Sequence, residues 1–196
     1  VFIDTNFLKT LPERQLISGF AEMLKHGLIA DRNYFYLLKT ASPQNMDPAL
    51  IRHSVQLKNK VVLQDPEEKG LRKILNFGHT IGHAVESFSL QNDQVPLSHG
   101  EAIVIGMICE AFLSTQKTGL SVEELHEIVQ TFKTFYEKYP IKEASFPQLI
   151  ELMKSDKKNT SGKINCSLLT QIGQCAIDCF CTEDELCNSL KFYLNC

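Results

Sequence analysis

Several common features are absent from these 196 residues. No apolar run approaches the ~20 residues a membrane-spanning helix needs. The amino-terminal residues lack the basic-then-apolar pattern of an export signal. Neither sign of charge is in excess: 20 Lys and Arg against 23 Asp and Glu leave a net charge of −3. A general attraction to nucleic acid or to an anionic membrane is therefore excluded as the organising principle. There is no internal repeat, low-complexity tract or block of like charge. No glycine-rich turn joins a strand to a helix, and strands do not alternate with helices, as a dinucleotide-binding sheet would require. Cysteine is present but does not make a scaffold. There are 7, an odd number, and five of them (Cys166, Cys175, Cys179, Cys181, Cys187) crowd into a span of 22 residues. This pattern reads as reduced thiols in a cytosol. Cys179 and Cys181 are too close together for a C-x-x-C zinc site.

What the sequence does contain is helical periodicity and a core: 43% of its residues are hydrophobic. Thr10-x-x-Glu13, with Pro12 between, predicts a helix start ahead of Leu16, Phe20, Leu24 and Leu28. Asp47-Pro48 opens a second helix, to about Gln64. Ser98-x-x-Glu101 is a capping box before an apolar helix ending near Lys117, with Gly119 suited to its C-terminal cap. Ser121 caps a helix to about Tyr139, and 146–155 forms a shorter one. Asn159 to Gly162 signals a turn, and the runs around Ile172-Gly173 predict a small β-hairpin within 163–178. Thr182-x-x-Glu185 caps a last helix. The expectation is a mainly α, multi-helical single domain over 1–196. The opening VFIDTNFLKTLP reads as a strand-like start of a chain already in progress.

The segment LRKILNFGHTIGHAVES, Leu71 to Ser87, carries the chemistry. Read as one helix, it stacks Arg72, Asn76, His79 and His83 on one face, with Ile74, Phe77, Ile81, Val85 and Phe88 opposite. An ordinary wet face would carry Lys and Glu. Gly78 and Gly82 cost roughly 1 kcal/mol each against Ala in a helix interior, which implies that something approaches the backbone closely. The polar face can line a cleft or simply be solvated, and imidazoles four apart can share a metal ion. Other positions add to it. Glu22, Lys25 and His26 share a face of the first helix. Lys58 falls at helical spacing with Ile51, Val55 and Val62, an ammonium on an apolar stripe that implies either a partner anion or a snorkelling side chain. His99 follows the Ser98 cap, where the helix dipole disfavours imidazolium and so favours the neutral ring a metal needs. One carboxylate with two or three imidazoles suits zinc or a similar divalent ion with a position open for substrate.

Three segments, SGFAEMLKHGLIAD, LRKILNFGHTIGHAVES and LSHGEAIVIGM, together with KNKVVLQDPEEKGLR and DKKNTSGKI, resemble in order and spacing the C-terminal metal-binding domain of the 3-dehydroquinate synthase family. The resemblance spans about Val1 to Ile177 and implies a helical fold of the dehydroquinate synthase and iron-alcohol-dehydrogenase type. It implies metal ligands at Glu22, His79 and His99. It implies contacts to substrate phosphate and carboxylate at Lys25, Lys58, Arg72, Asn76, His83 and one of Lys157 and Lys158, with Lys58, Asn76 and His83 nearest the chemistry. The implied cofactors are Zn2+ or Co2+, and NAD held mainly by an N-terminal domain absent from this chain. A homodimer acting in the cytosol is also implied.

The family's reaction converts 3-deoxy-arabino-heptulosonate 7-phosphate to 3-dehydroquinate and phosphate, with NAD returned to its starting state. Three alternatives stand beside it: another sugar-phosphate cyclase, a metal-dependent polyol dehydrogenase domain, and a non-enzymatic metal-binding module. Lys58, Asn76 and His83 favour the dehydroquinate branch, and the Arg and Lys set argues against a plain dehydrogenase. The segment CAIDCFCTEDELC has no motif role and is expected to pack as small apolar side chains.

Overall fold

The computed structural model describes residues 3–155 and 164–196. Among them are eight α-helices and one hairpin. The helices are α1 (Glu13–Ala30), α2 (Arg32–Leu38), α3 (Pro48–Gln64), α4 (His79–Asn92), α5 (His99–Lys117), α6 (Val122–Phe135), α7 (Phe146–Lys154) and α8 (Glu183–Asn195). Strands β1 (Ile164–Gln171) and β2 (Gln174–Cys181) pair antiparallel, turning at Gly173, whose φ is +91°. Helix α5 is the axis. It is apolar around most of its circumference, as a largely enclosed helix must be, and α1, α4, α6, α8 and β1 pack around it.

Local signals place most element ends. Ser98 and Glu101 form the reciprocal capping box of α5, and Thr182 and Glu185 that of α8. Ser121 caps α6 through the Glu124 N–H, and Asp47 caps α3 through the Ala49 N–H. The mainly helical expectation and the hairpin hold, although β2 runs on to Cys181. Cys109, Cys166 and Cys181 are buried, all as free thiols.

Four expectations need correction. The chain start is not a strand: residues Thr5–Thr10 form a 3-10 turn, and Val1 and Phe2 lie outside the described residues. Thr10 does not cap α1, which begins after Pro12 without a side-chain cap. Leu11 precedes that proline and is held extended, as the ring of a following proline demands. Helix α6 stops at Phe135, four residues early. The tyrosines beyond it are drawn into tertiary bonds, Tyr136 Oη donating to Ile17 O and Tyr139 Oη to Asp93.

The largest correction concerns residues 71–87, which are two elements and not one helix. Leu71–Asn76 is a 3-10 turn, Phe77 is extended, Gly78 is left-handed at φ +80°, and α4 starts at His79. What approaches Gly78 and Gly82 is α5: a Cβ on Gly82 would lie 2.8 Å from Ile103 Cδ1, and one on Gly78 3.1 Å from Ile103 O. The expected turn at Asn159 to Gly162 lies outside the described residues, as do Lys157 and Lys158.

Candidate metal and anion site

Three contacts along one face of α1 fix the first turn of α5. Arg14 donates to Glu101, with Nη2 at 2.7 Å from Oε2. Ser18 Oγ accepts the Gly100 N–H at 2.9 Å, and the backbones come so close there that a Cβ on Gly100 would overlap Ser18. One turn further along α1 is Glu22, which therefore faces His99, the first residue of α5. His79, the first residue of α4, reaches the same place. His79 Nε2 and His99 Nε2 each lie 3.8 Å from Glu22 Oε1. One ligand atom from each of the three side chains falls within 4.8 Å of the others.

The remaining ring nitrogens are occupied. His79 Nδ1 is 3.2 Å from Phe77 O, and a carbonyl can only accept, so Nδ1 carries the proton. His99 Nδ1 is 3.2 Å from Glu86 Oε2, a carboxylate behind the imidazole. The His79 Nε2 lone pair is thus left on the Glu22 side, and both backings are of the kind that outer partners give metal-binding histidines. Glu22 Oε1 is itself buried and has no hydrogen-bond partner among the described residues. A buried carboxylate oxygen without a donor is costly, and a divalent cation is the group that fits it.

Lys25 closes the inner side. It is 2% exposed, with Nζ 2.7 Å from Glu22 Oε2 and 3.5 Å from His79 Nε2. Burial lowers its pKa against the pull of Glu22. Burial alone would raise Glu22, but His99 and Lys25 outweigh it and hold the carboxyl below the ordinary range. Burial, with Lys25 beside it, pushes His79 down to about 3, so its ring is neutral. His99 departs from expectation. The helix dipole should have lowered it, yet Glu22 first and Glu86 second raise it.

A cavity of about 190 Å³ opens beside the cluster, lined by Glu22, Lys25, His79, Lys58, Arg72 and Asn76, with His26, Glu68 and Leu75 completing its wall. A second cavity of about 310 Å³ shares Glu68 and Asn76 and extends to Lys73, Thr80 and Asp178. Lys58 reaches the first cavity differently from expectation. The stripe Ile51, Val55 and Val62 is not the buried face of α3: Val55 is 40% exposed. The buried face carries Ser54 and Val61, with Leu50 and Leu57 packed beside them, and Lys58 is exposed at its edge. His83 stands further out, its ring centroid 5.0 Å from that of His79 and 5.9 Å from that of His99. With Glu86 and His99 it forms a second cluster of ligand atoms.

Three carboxylates were not anticipated. Glu68, held at a positive φ of 58°, accepts from Asn76 Nδ2 at 2.8 Å and lies 4.0 Å from Arg72 Nε. Glu86 backs His99, and only its position three after His83 could have signalled it. Glu110 is wholly buried in α5 and accepts the N–H groups of Gly78 and Ile81 at 2.7 and 3.3 Å. Burial raises Glu110 to about 8 even so.

The fold and this cluster define a helical module that gathers a carboxylate, imidazoles and cationic side chains around one polar cavity. Residues 19–159 match the family described as 3-dehydroquinate synthase C-terminal. The chain belongs to the 3-dehydroquinate synthase family. It is 39% identical over 197 residues to a 3-dehydroquinate synthase of Parabacteroides distasonis, covering 98% of this chain and 56% of that protein. It is 39% identical over 182 residues to one of Geobacillus kaustophilus, covering 88% and 48%. The chain thus spans about half the length of these relatives. Its fold is that of a 2-epi-5-epi-valiolone synthase from Streptomyces hygroscopicus, solved with NAD+ and Zn2+. That match has a TM-score of 0.80 at 24% identity over 98% of this chain and 55% of the other. A 2-deoxy-scyllo-inosose synthase with carbaglucose-6-phosphate, NAD+ and Co2+ matches at 0.80 and 23%, over 96% and 55%.

Proposed function

We propose that this chain supplies the metal- and substrate-binding half of a 3-dehydroquinate synthase. The substrate is 3-deoxy-arabino-heptulosonate 7-phosphate and the products are 3-dehydroquinate and phosphate. The observation that carries the reading is the convergence of His79 Nε2, His99 Nε2 and the partnerless Glu22 Oε1 beside a cavity walled by Lys25, Lys58 and Arg72. Glu22, His79 and His99 would hold zinc or cobalt, the metals carried by the two fold relatives. When bound, the metal would polarise a substrate hydroxyl and lower its pKa.

The protein groups do the rest of the binding. Lys25, Lys58 and Arg72 take the carboxylate and phosphate oxygens through charge-assisted hydrogen bonds. Lys157 or Lys158 adds to them. Asn76 donates an amide N–H to the leaving phosphate. His83 would transfer a proton to or from the reacting phosphate. The NAD-binding half, a homodimeric assembly and a cytosolic setting belong to the same proposal. The identity to proteins named 3-dehydroquinate synthase favours this branch over the other cyclases, whose likeness is one of fold.

The test replaces the matching half of the Parabacteroides relative with these 196 residues. Phosphate release from the heptulosonate phosphate, without accumulation of NADH, is expected. Net NADH formation would indicate a dehydrogenase, and absence of phosphate release would count against the proposal. The 196 residues alone are expected to bind zinc and release no phosphate, because hydride transfer needs a positioned nicotinamide.

A further inference from the structure

The residue that caps the start of α4 is a glycine, Gly78, so its first turn has no cap side chain of its own. The missing acceptor comes from another helix. Glu110, eleven residues into α5 and 0% exposed, places Oε2 at 2.7 Å from the Gly78 nitrogen and Oε1 at 3.3 Å from the Ile81 nitrogen. Those two N–H groups bracket His79 in the sequence. The backbones themselves are in contact here, since a Cβ on Gly106 would overlap the Gly78 carbonyl. Helix α5 carries His99 at its first residue and Glu110 three turns later. One rigid element thus presents one imidazole directly and grips the turn that presents the other.

A local Ser, Thr or Asp at position 78 is the usual and less costly way to cap a helix. It would forfeit the left-handed φ of +80° that glycine adopts without strain. Enclosing a carboxylate in an apolar helix is expensive unless its hydrogen bonds are made.

We propose that Glu110 is a positioning residue of the metal site: by clamping the first turn of α4 onto α5 it sets the distance between His79 and His99. The proposal rests on the reading of Glu22, His79 and His99 as the metal ligands. It assigns Glu110 no contact with metal or substrate.

The decisive variant is Glu110→Gln in the full chain. It keeps the shape but turns one acceptor into an NH2 group that faces an N–H. Zinc affinity is measured by chelator competition, and the visible absorption of the Co2+-loaded protein reports ligand geometry. The expected result is a rise of about 10-fold or more in the zinc Kd, as for other outer partners of metal ligands. The cobalt bands should shift or lose intensity, while helical circular dichroism is preserved. Glu110→Asp keeps the carboxyl group but falls a methylene short. It should show the same loss and serves if the Gln variant does not accumulate. Parent affinity and parent cobalt spectrum in a folded variant would overturn the proposal. Loss of folding in both variants would overturn it too, since Glu110 would then serve the fold and not the site. His79→Ala separates the two readings. If that variant binds zinc like the parent, the ligand assignment fails. If it loses zinc while Glu110→Gln does not, only the positioning role fails.

Discussion

The two sides of the candidate site are built differently. On the metal side every group is tied. Glu22 is fixed through Lys25, His79 through Phe77 O, and His99 through Glu86, and the helix starts that carry the histidines dock on neighbouring helices at backbone distance. On the anion side Lys58 is exposed at the edge of α3, and Arg72 and Asn76 come from a short 3-10 turn and meet Glu68 in place of a ligand. The difference fits the tasks proposed for the two sides. A divalent ion tolerates little error in ligand position, so its site is preorganised. On the proposed function, a large anionic substrate would bring its own charge and displace Glu68 from the cations, so rim residues would suffice.

Breaking the metal side should have the largest effect. Glu22→Ala, His79→Ala or His99→Ala is expected to weaken zinc binding by about 100-fold or more, beyond the loss typical of outer partners. His83→Gln, and His126→Ala on the exposed face of α6, should leave it within about 3-fold, less than any lost ligand costs. Calorimetry decides. A His83 variant that lost zinc while the Glu22 and His79 variants kept it would move the ion to the outer cluster of His83, Glu86 and His99.

Next in size is an acid sensitivity stored beneath the anion side. His26 is 5% exposed, its Nδ1 bonded to Ser54 Oγ at 2.7 Å. Burial first, and the ammonium of Lys25 second, lower it to about 4. A depressed histidine stabilises the fold fully above its unfolded pKa of about 6.5 and loses that contribution as pH falls through 4. The shift corresponds to about 3 kcal/mol. Denaturant melts of the metal-free chain should therefore weaken between pH 6.5 and 4 more steeply in the parent than in His26→Gln. Parallel curves would refute the assignment.

The smallest effect should come from the rim. Arg72→Ala and Lys58→Ala are expected to weaken inorganic phosphate or a substrate analogue by about 10-fold each, the worth of one charge-assisted hydrogen bond. Zinc affinity should not change. A matching fall in zinc binding would show that the two sides are not separate.

Much of this was legible in advance where the physics is local. Ser98, Ser121, Asp47 and Thr182 cap their helices through contacts three residues away or fewer, and those element starts could be read directly. The hairpin was legible from its glycine turn. The chemical types of the candidate ligands were legible as well, and the structure brings Glu22, His79 and His99 together, along with Lys25, Lys58, Arg72 and Asn76 around one cavity. The role of Lys58 was harder to place, because periodicity gives two candidate stripes on α3 and only packing against the core selects Leu50, Ser54, Leu57 and Val61.

By itself, then, the sequence determined the helical class, the capped ends, the hairpin and the inventory of donors and acceptors, all of which depend on neighbours within about one helical turn. Tertiary structure decided the rest. The break at Gly78 exists because α5 leaves no room for a Cβ and because Glu110, 32 residues away, receives the freed N–H groups. The raised pKa of His99 comes from Glu22 and Glu86, on two other helices, and overrides the dipole of its own. Contacts made across such separations depend on how the helices dock, and no spacing along the chain encodes them.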